Sequence, residues 1–458
     1  MTCSRAARRL RGEMISRIHQ GDVLAVMKGW PDGFVDCCVT DPPYELGFMG
    51  KAWDKSGVAY RVEVWREVLR VLKPGGHLLS FGGSRTYHRM ACAIEDAGFE
   101  IRDQIMWVYG SGFPKSLDIS KAIDKMAGVE REPILDESGN QVWTSQKQGK
   151  KSMFDGGKER PATYPATYPA TYWSGWGTAL KPAHEPICVA RKPLDGTVAE
   201  NVLKWGTGGI NIDGCRINFA SKGDKAAAAA AAAREHQQAR CNEDRHNTIV
   251  LTPNGDSRKG KSPQAEYDRY MQNSGRFPAN LIHDGSDEVM ALFPQSAGQQ
   301  GDVRGTEPIH TGQTGIFGDY SRMAAEPKRN DNGTAARFFY CAKASKAERN
   351  AGLGGMEEKQ MDESRKEGNP GGDNPRNRGV HTRANHHPTV KPLSLMRYLI
   401  TLVSRKGHVI LDPFCGSGTT LVAAKELGRD FIAIEISPEY CEIANRRLAE
   451  TATEGRMF

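Results

Sequence analysis

The stretch 409–435 restricts the fold more than any other part of the chain. It contains a short apolar run at 409–411, a Gly-rich turn, a helical segment that stops at Gly428, and a second apolar run that ends in Glu435. Strand, turn, helix and strand at this spacing form a βαβ unit with parallel, buried strands. Strands and helices alternate in the same way from Met14 to about residue 109. We therefore predict an α/β fold with a doubly wound, mostly parallel sheet.

The remaining elements follow from periodicity and from residues that end helices. The predicted strands are 15–19, 34–40, 78–81, 99–109, 186–190 and 337–341. The predicted helices are 23–27, 60–72, 87–97 and 394–404. The alanine run 226–233 also favours helix. Tandem Pro-Ala-Thr-Tyr units at 161–172 predict an extended, polyproline-II-like loop.

Length and composition exclude several classes of protein. The 458 residues suggest two or three domains, at roughly 150 residues each. No apolar run approaches the ~20 residues that span a bilayer, so we expect a soluble, cytoplasmic protein without a membrane partner. The ten cysteines form no Cys-x-x-Cys pair, which indicates neither a metal site nor a disulfide framework. A net charge of +7 is compatible with a polyanionic partner.

The tetrapeptide Asp41-Pro42-Pro43-Tyr44 follows an apolar run and marks the end of a buried strand. Tandem prolines lack backbone N–H groups, so the chain leaves the sheet in a stiff turn with carbonyl groups that the sheet does not pair. Such a ledge suits a planar ring with an amino group. Asp41 and the Pro42 carbonyl would accept its N–H groups, and Tyr44 would stack on its face. A strand-ending turn with a chance Asp and Tyr is the simpler alternative.

The turn after residue 411 has the chemistry of a nucleoside site. It reads Asp412-Pro413-Phe414-Cys415-Gly416-Ser417-Gly418-Thr419-Thr420, and its glycines let a ligand approach the backbone at a helix N-terminus. Glu435 is placed to accept both hydroxyls of a ribose. The turn has no dinucleotide or P-loop pattern, and Asp412 would repel phosphate but attract a sulfonium. This chemistry indicates S-adenosylmethionine, with an ordinary glycine turn as the alternative.

Together, these two motifs resemble the defining motifs of amino-methyltransferases that act on adenine N6 or cytosine N4 of DNA. The catalytic motif precedes the cofactor motif, as in the circularly permuted beta class of bacterial or phage type. The resemblance implies a Rossmann-like, seven-stranded sheet with an inserted target-recognition region. Both motifs would lie at carboxyl ends of adjacent central strands, where such sheets bind ligands. It also implies S-adenosylmethionine as the cofactor.

The resemblance assigns roles to further residues. The segment 387–392 is similar to the family's segment that closes over the methionine moiety, and Asp22 stands where the family has an acid near the cofactor's adenine. The predicted catalytic residues are Asp41, Pro42, Pro43 and Tyr44. The predicted cofactor-binding residues are Asp22, Thr389, Lys391, Pro392, Asp412, Pro413, Phe414, Cys415, Gly416, Ser417, Gly418, Thr419 and Glu435.

The expected activity is methyl transfer to N6 of an adenine that is flipped out of duplex DNA, because the target atom is inaccessible inside the duplex. In the family, Asp at the first catalytic position usually accompanies adenine and Ser accompanies cytosine. The alternatives are cytosine N4, RNA or a protein amide as substrate, and a non-catalytic DNA-binding module that keeps the fold. The resemblance also suggests a homodimer and association with the nucleoid, with or without a paired restriction nuclease.

The predicted domain organisation places DNA contacts between the two motif-bearing halves. Its parts are a flexible lead-in 1–13, a catalytic half 14–218 with a loop insertion 110–178, a target-recognition region 219–335, a return segment 336–353, a mobile basic loop 354–385 and a cofactor-binding half 386–458. The expected DNA contacts are Arg234, Arg240, Arg269, Arg276, Arg378 and Arg383.

Overall fold

A computed structural model describes the chain at residues 14–46, 52–110, 112, 116–132, 134, 165–219, 224–225, 228–229, 275–297, 332–342, 346–360 and 382–452. The chain divides into two compact units. Unit 1 comprises Met1–Ile210 and Ala342–Phe458, and unit 2 comprises Asn211–Cys341. Unit 1 therefore contains both motif-bearing ends of the chain.

The strands of the described residues are short and are numbered along the chain. They are β1 (Arg17–Gln20), β2 (Cys37–Thr40), β3 (His77–Phe81), β4 (Glu100–Val108), β5 (His184–Arg191), β6 (Ile217–Asn218), β7 (Gly275–Arg276), β8 (Leu281–His283), β9 (Gln295–Ala297), β10 (Asn332–Thr334), β11 (Tyr340–Cys341), β12 (Lys359–Gln360), β13 (Thr382–Arg383), β14 (Val409–Asp412) and β15 (Asp430–Glu435).

The α-helices of the described residues are α1 (Val23–Met27), α2 (Val62–Val71), α3 (Tyr87–Asp96), α4 (Ile119–Met126), α5 (Tyr168–Tyr172), α6 (Val198–Trp205), α7 (Asp287–Met290), α8 (Lys346–Asn350), α9 (Leu393–Val403), α10 (Thr419–Glu426) and α11 (Pro438–Glu450). Short 3₁₀ helices cover Ala52–Lys55, Val58–Tyr60, Asp213–Cys215 and Ala335–Phe338. None of the helices in the described part of the chain has the length and apolar character to cross a membrane.

Within unit 1, the sheet order is β1-β15-β14-β2-β3-β5-β4. The first four neighbouring pairs are parallel, and β5 alone runs antiparallel to its neighbours β3 and β4. The predicted doubly wound, mostly parallel sheet is confirmed. Pairing of β14 with β2 sets Ile410 opposite Cys37. The strands that precede the two motifs are therefore direct neighbours in the sheet.

The two ends of the chain also share one hydrophobic core. Val35, Trp65 and Leu78 from the first end pack in the same cluster as Leu411 and Ile432 from the last, and all five are fully buried. Burial of one such side chain stabilises the fold by about 1.5–3 kcal/mol. Neither end can bury its apolar strand faces without the other.

Unit 2 contains short strand pairs in its described residues. β6 pairs antiparallel with β7, β9 antiparallel with β10, and β8 parallel with β11. Arg276 is buried in this unit, where it pairs with Asp224 and lies over the rings of Phe219 and Phe338 at 4.9 and 4.8 Å.

Two predictions of local structure were wrong in part. Residues 168–172 form α5 and are not extended, because Thr167 caps the helix through the N–H of Ala170 and the proline lies in the first turn, where its missing N–H is harmless. Residues 161–164 of the same predicted loop lie outside the described residues. Of the predicted strand 337–341, Phe339 is extended and Tyr340–Cys341 form β11, whereas residues 337–338 end a 3₁₀ helix that Thr334 caps. Of the alanine run 226–233, residues 228–229 are helical, and the others lie outside the described residues.

Candidate active site

Predicted residues from both chain ends meet at one edge of the unit 1 sheet. Asp41 follows β2, Asp412 ends β14 and Glu435 ends β15. Thr40 donates a hydrogen bond to Asp412 Oδ1 at 2.7 Å, across 372 residues of sequence. The carboxyl ends of parallel strands share this edge, which is where open α/β sheets bind ligands.

The Asp41-Pro42-Pro43-Tyr44 ledge is anchored at its aromatic residue. The Tyr44 carbonyl accepts a hydrogen bond from Thr86 Oγ1 at 2.8 Å, and the Tyr44 hydroxyl donates to Glu185 Oε2 at 2.9 Å. Glu185 lies at the start of β5. Because β5 is antiparallel to β3, its first residues reach the edge where the parallel strands end. The backbone carbonyl and the side-chain hydroxyl of Tyr44 are thus both held.

Lys391 joins the ledge from the other end of the chain. Its ammonium lies 2.7 Å from Asp41 Oδ2 and 3.3 Å from Glu185 Oε2. It also lies 5.1 Å from the centre of the Tyr44 ring and 4.9 Å from that of Phe81. The side chain is 8% exposed. Lys391, which was predicted to bind cofactor, therefore lies against the catalytic ledge.

The second carboxylate oxygen of Asp41 is an unused acceptor. Oδ1 is buried and has no hydrogen-bond partner among the residues that the structure describes. The Tyr44 hydroxyl lies close enough to lower the pKa of Asp41, but its single proton is donated to Glu185. A buried acceptor without a donor costs about 1–3 kcal/mol. A ligand that supplies an N–H at this position would recover that free energy.

Burial and the ion pairs oppose one another in setting the ionisation of the ledge. Burial raises the pKa of Asp41 above its ordinary value, and the Lys391 ammonium counteracts part of this rise. Burial lowers the pKa of Lys391, but Asp41 and Glu185 more than offset this and leave it above its ordinary value. With an N–O distance of 2.7 Å, we treat the pair as ionised at neutral pH.

The glycine turn between β14 and α10 forms a backbone cradle. Gly416 has φ +49° and Gly418 has φ +79°, in the left-handed region that favours glycine. The N–H of Gly416 donates to Glu435 Oε2 at 2.8 Å, and the N–H of Ser437 donates to Oε1 at 2.8 Å. The acid at the end of β15 is therefore fixed directly beside the turn.

The two glycines serve different purposes. A Cβ on Gly416 would lie 2.6 Å from His387 Nε2, whereas a Cβ on Gly418 would lie 2.8 Å from the Cβ of Ala444 in α11. Gly418 thus permits close packing of the turn on α11. Gly416 permits close approach of the segment 387–392, which contacts the turn through His387 and the ledge through Lys391. A single segment connects both motifs.

The described residues fit a nucleoside with a cationic tail. Glu435 is a buried carboxylate fixed beside the glycine turn, and Asp412 supplies a second buried carboxylate. Burial raises the pKa of Asp412 to about 6, although the hydroxyls of Thr420 and Thr40 oppose this. Ile436, which follows Glu435, is 64% exposed and offers an apolar face to a planar ring.

Other predicted cofactor residues have structural partners. Asp22 caps α1 by accepting from the N–H groups of Leu24 and Ala25. Arg447 of α11 donates to the Ser417 carbonyl at 2.6 Å and to Thr419 Oγ1 at 3.2 Å, and so clamps the turn. The remaining residues are also located: Pro392 and Cys415 are buried, Thr389 is exposed, and Pro413 and Phe414 lie in the turn.

Of the predicted DNA contacts, most lie outside the described residues. These are Arg234, Arg240, Arg269 and Arg378, and for Arg383 the backbone alone is described. Arg276 is described, and its buried pairing with Asp224 assigns it to the packing of unit 2. Among the described residues, no group of three or more His, Cys, Asp and Glu is arranged to hold a metal ion.

Sequence reasoning missed three residues of this site. Glu185 precedes an apolar strand, but its importance depends on the antiparallel direction of that strand, which the local sequence does not reveal. Arg447 lies in α11, where the spacing of polar residues is equally compatible with a solvent-exposed arginine. For Ile436 a signal existed, because an apolar residue directly after the strand-ending acid is unusual in a turn.

Comparison with known proteins matches most of the chain to one family. The family model N6_N4_Mtase, described as DNA methylase, matches residues 35–446. The chain is 52% identical over 75 residues to the Type II methyltransferase M2.DpnII of Streptococcus pneumoniae, covering 16% of the chain and 28% of that protein. It is 45% identical over 76 residues to the DNA adenine methyltransferase YhdJ of Escherichia coli, covering 17% and 26%. The chain thus matches about a quarter of the length of these relatives.

Solved structures give broader but looser matches. The M1.HpyAVI–SAM complex is 15% identical with a TM-score of 0.35, over 94% of this chain and 98% of that chain. The PvuII DNA methyltransferase, described as cytosine-N4-specific, is 12% identical with a TM-score of 0.38, over 94% and 85%.

Proposed function

Since the chain belongs to the N6_N4_Mtase family of DNA methylases, we propose that it transfers a methyl group from S-adenosylmethionine to N6 of an adenine flipped out of duplex DNA. One observation carries the proposal: the buried Oδ1 of Asp41, which has no donor among the described residues, beside Tyr44, which is held through its hydroxyl and its backbone carbonyl. An exocyclic amine supplies the missing donor, and the base supplies a ring for Tyr44.

The ledge residues act on the nucleophile. The lone pair of an exocyclic amine is delocalised into its ring, which makes the amine a poor nucleophile. Hydrogen bonds from the amine to Asp41 Oδ1 and to the Pro42 carbonyl favour a pyramidal nitrogen and orient its lone pair. Tyr44 stacks on the base and Lys391 occupies Oδ2, so the amine has one carboxylate oxygen available. Positioning of this kind supplies most of the rate, and no general base is needed before attack.

The turn residues hold the methyl donor. S-adenosylmethionine is the cofactor, and when bound it supplies an electrophilic methyl group on a sulfonium. Glu435, which the Gly416 N–H holds beside the turn, is positioned to accept the ribose hydroxyls. The Asp412 carboxylate attracts the cationic tail. Asp22, Thr389 and Pro392 complete the proposed cofactor-binding set with the rest of the turn.

Adenine is the proposed base because Asp stands at position 41. YhdJ, a partial match by sequence, is named as a DNA adenine methyltransferase, which supports the same choice. The order of the motifs supports a circularly permuted, beta-class topology. We further propose that target recognition resides in 219–335, with DNA contacts from Arg234, Arg240, Arg269, Arg378 and Arg383, and that the protein functions as a homodimer.

A nucleoside analysis tests the proposal. The protein and tritiated S-adenosylmethionine are incubated in parallel with duplex DNA, RNA and a protein extract. The DNA is then digested to nucleosides, and mass spectrometry identifies the methylated nucleoside. We expect label in DNA as N6-methyladenine. Label in N4-methylcytosine would overturn the choice of base, and label in RNA or protein alone would overturn the choice of substrate. No label in any polymer would contradict catalysis.

A further inference from the structure

The buried cluster at the ledge contains one more carboxylate than its cation neutralises. Asp41 and Glu185 both pair with the Lys391 ammonium, at 2.7 and 3.3 Å. Their side chains are 18% and 19% exposed, so the three charges are largely shielded from water. In the ionised state the cluster has a net charge of −1. A buried charge without a counter-ion is unfavourable for stability, so its presence here indicates a functional role.

We propose that Glu185 is a positioning residue for methyl transfer, which holds the Tyr44 ring and Lys391 and keeps the cluster negative where the target amine becomes cationic. The inference rests on the proposed function, because it assumes that an amine is methylated beside Asp41. It adds a residue that neither motif contains.

The positioning role follows from two contacts of the Glu185 carboxylate. Glu185 Oε2 accepts the Tyr44 hydroxyl proton at 2.9 Å and lies 3.3 Å from the Lys391 ammonium. Thr86 Oγ1 donates a second hydrogen bond to the backbone carbonyl of Tyr44. With Glu185 in place, the ring is fixed in one plane before a base arrives, and a base that stacks on it loses less conformational entropy than one that meets a mobile ring.

The same carboxylate directs Lys391 to one oxygen of Asp41. The ammonium is held between Glu185 and Asp41 Oδ2. Oδ1, which has no partner among the described residues, is left to accept a hydrogen bond from the substrate. Loss of Glu185 would leave Lys391 with one carboxylate, so the ammonium could move to bridge both oxygens of Asp41. The acceptor that the amine requires would then be occupied.

The electrostatic role follows from the charge that develops on the amine. The nitrogen lone pair forms the new N–C bond, the electrons of the broken C–S bond stay on sulfur, and the nitrogen is positive until one N–H proton passes to water. A cluster of net charge −1 stabilises this positive charge, whereas Asp41 and Lys391 alone sum to zero. Preorganised charge in a shielded site is more effective than the same charge in water.

The test compares Glu185→Gln with Glu100→Gln in the full chain. Glu100 is a matched control, because it also lies on this sheet and pairs with a β5 residue, Arg191, at 2.6 Å. Three measurements are made: kcat and KM for duplex DNA, cofactor affinity by calorimetry, and fluorescence of 2-aminopurine at the target position, which reports base extrusion. We expect Glu185→Gln to lower kcat about tenfold to a hundredfold, with cofactor affinity within twofold of wild type.

Tyr44→Phe tests the positioning contact without removing a charge. We expect it to lower kcat about fivefold and to have little further effect in a Glu185→Ala background, since the alanine has already removed the acceptor of that hydrogen bond. The inference is overturned if Glu185→Gln matches Glu100→Gln in kcat and 2-aminopurine signal, or if Tyr44→Phe is fully additive with Glu185→Ala. Failure of Glu185→Gln to fold, together with wild-type kcat in Tyr44→Phe, would also overturn it. An inactive wild-type protein would instead refute the proposed function.

Discussion

The two halves of the candidate site stabilise buried carboxylates with different kinds of partner. At the catalytic ledge, Asp41 and Glu185 share the ammonium of Lys391, a residue about 200 to 350 positions away along the chain. At the cofactor turn, Glu435 accepts two backbone N–H groups from residues 416 and 437, and Asp412 accepts from Thr40 and the N–H of Phe414. The ledge depends on a distant cation, while the turn depends mainly on its own backbone.

This difference indicates how each half responds to mutation. Backbone donors are fixed by the fold and are not lost when one side chain changes. A shared lysine, in contrast, couples three side chains, so a change in one alters the other two. We therefore expect changes at the ledge to affect turnover strongly, and changes at the turn to affect affinity and stability more moderately.

Asp41→Ala should have the largest effect. It removes the acceptor of the target amine and leaves Lys391 with Glu185 alone, so we expect turnover to fall by about 10²–10³-fold. Cofactor affinity should stay within about twofold of wild type, because the hydrogen bonds that hold Glu435 and Asp412 do not include Asp41. Steady-state methylation and calorimetry check both values, with Asp32→Ala, an exposed carboxylate paired with Arg70, as the control. A loss of cofactor affinity as large as the loss of turnover would contradict the independence of the ledge and the turn.

Asp412→Asn should change how stability depends on pH. Burial raises the pKa of Asp412 from 3.8 to about 6, so the folded state keeps a proton that the unfolded state has lost. The stabilisation that protonated Asp412 contributes is fully present below pH 3.8 and is lost as the pH rises through about 6. Relative to wild type, Asp412→Asn should gain free energy of unfolding across this window, by up to about 3 kcal/mol. Urea unfolding between pH 4 and pH 8 measures the difference, and a constant difference would contradict the prediction.

Glu435→Ala should weaken cofactor binding before it affects turnover. The change removes the proposed ribose acceptor and also frees the Gly416 N–H, so we expect affinity to fall by about tenfold to a hundredfold. Turnover at saturating cofactor should change less than in Asp41→Ala. The exposed Glu439, which pairs with Lys359, provides the matched Glu→Ala control. Unchanged affinity in calorimetry would argue against the ribose role.

Gly416→Ala should have the smallest effect, and Gly428→Ala is its control. Both positions have positive φ, at +49° and +66°, so each alanine costs about 1–2 kcal/mol in backbone strain. A Cβ at 416 also meets His387 Nε2 at 2.6 Å, while nothing lies within 4 Å at 428. We expect Gly416→Ala to be less stable than Gly428→Ala by about 1 kcal/mol. Equal thermal unfolding midpoints would show that His387 is free to move away.

The turn could be predicted from the sequence because it is local. Its strand, glycines, helix and acid lie within 27 residues, and the order of residue types alone places Glu435 beside Gly416. The ledge motif could also be recognised, but its electrostatic partners could not. Glu185 required knowledge of strand direction, and the contact of Lys391 with Asp41 required the fold of the segment 387–392. Arg276 was predicted as a DNA contact from composition, and its burial with Asp224 depends on packing that composition does not encode.

The position of β14 and β15 between β1 and β2 affects how the protein is made. During synthesis β1 and β2 emerge early, but the two strands that separate them in the finished sheet are translated more than 360 residues later. Until then β1 and β2 have no correct neighbours on their facing edges, and unpaired strand edges invite association with other chains. We expect ribosome-bound fragments that end before residue 409 to require chaperones, and this delay is inherent in the topology.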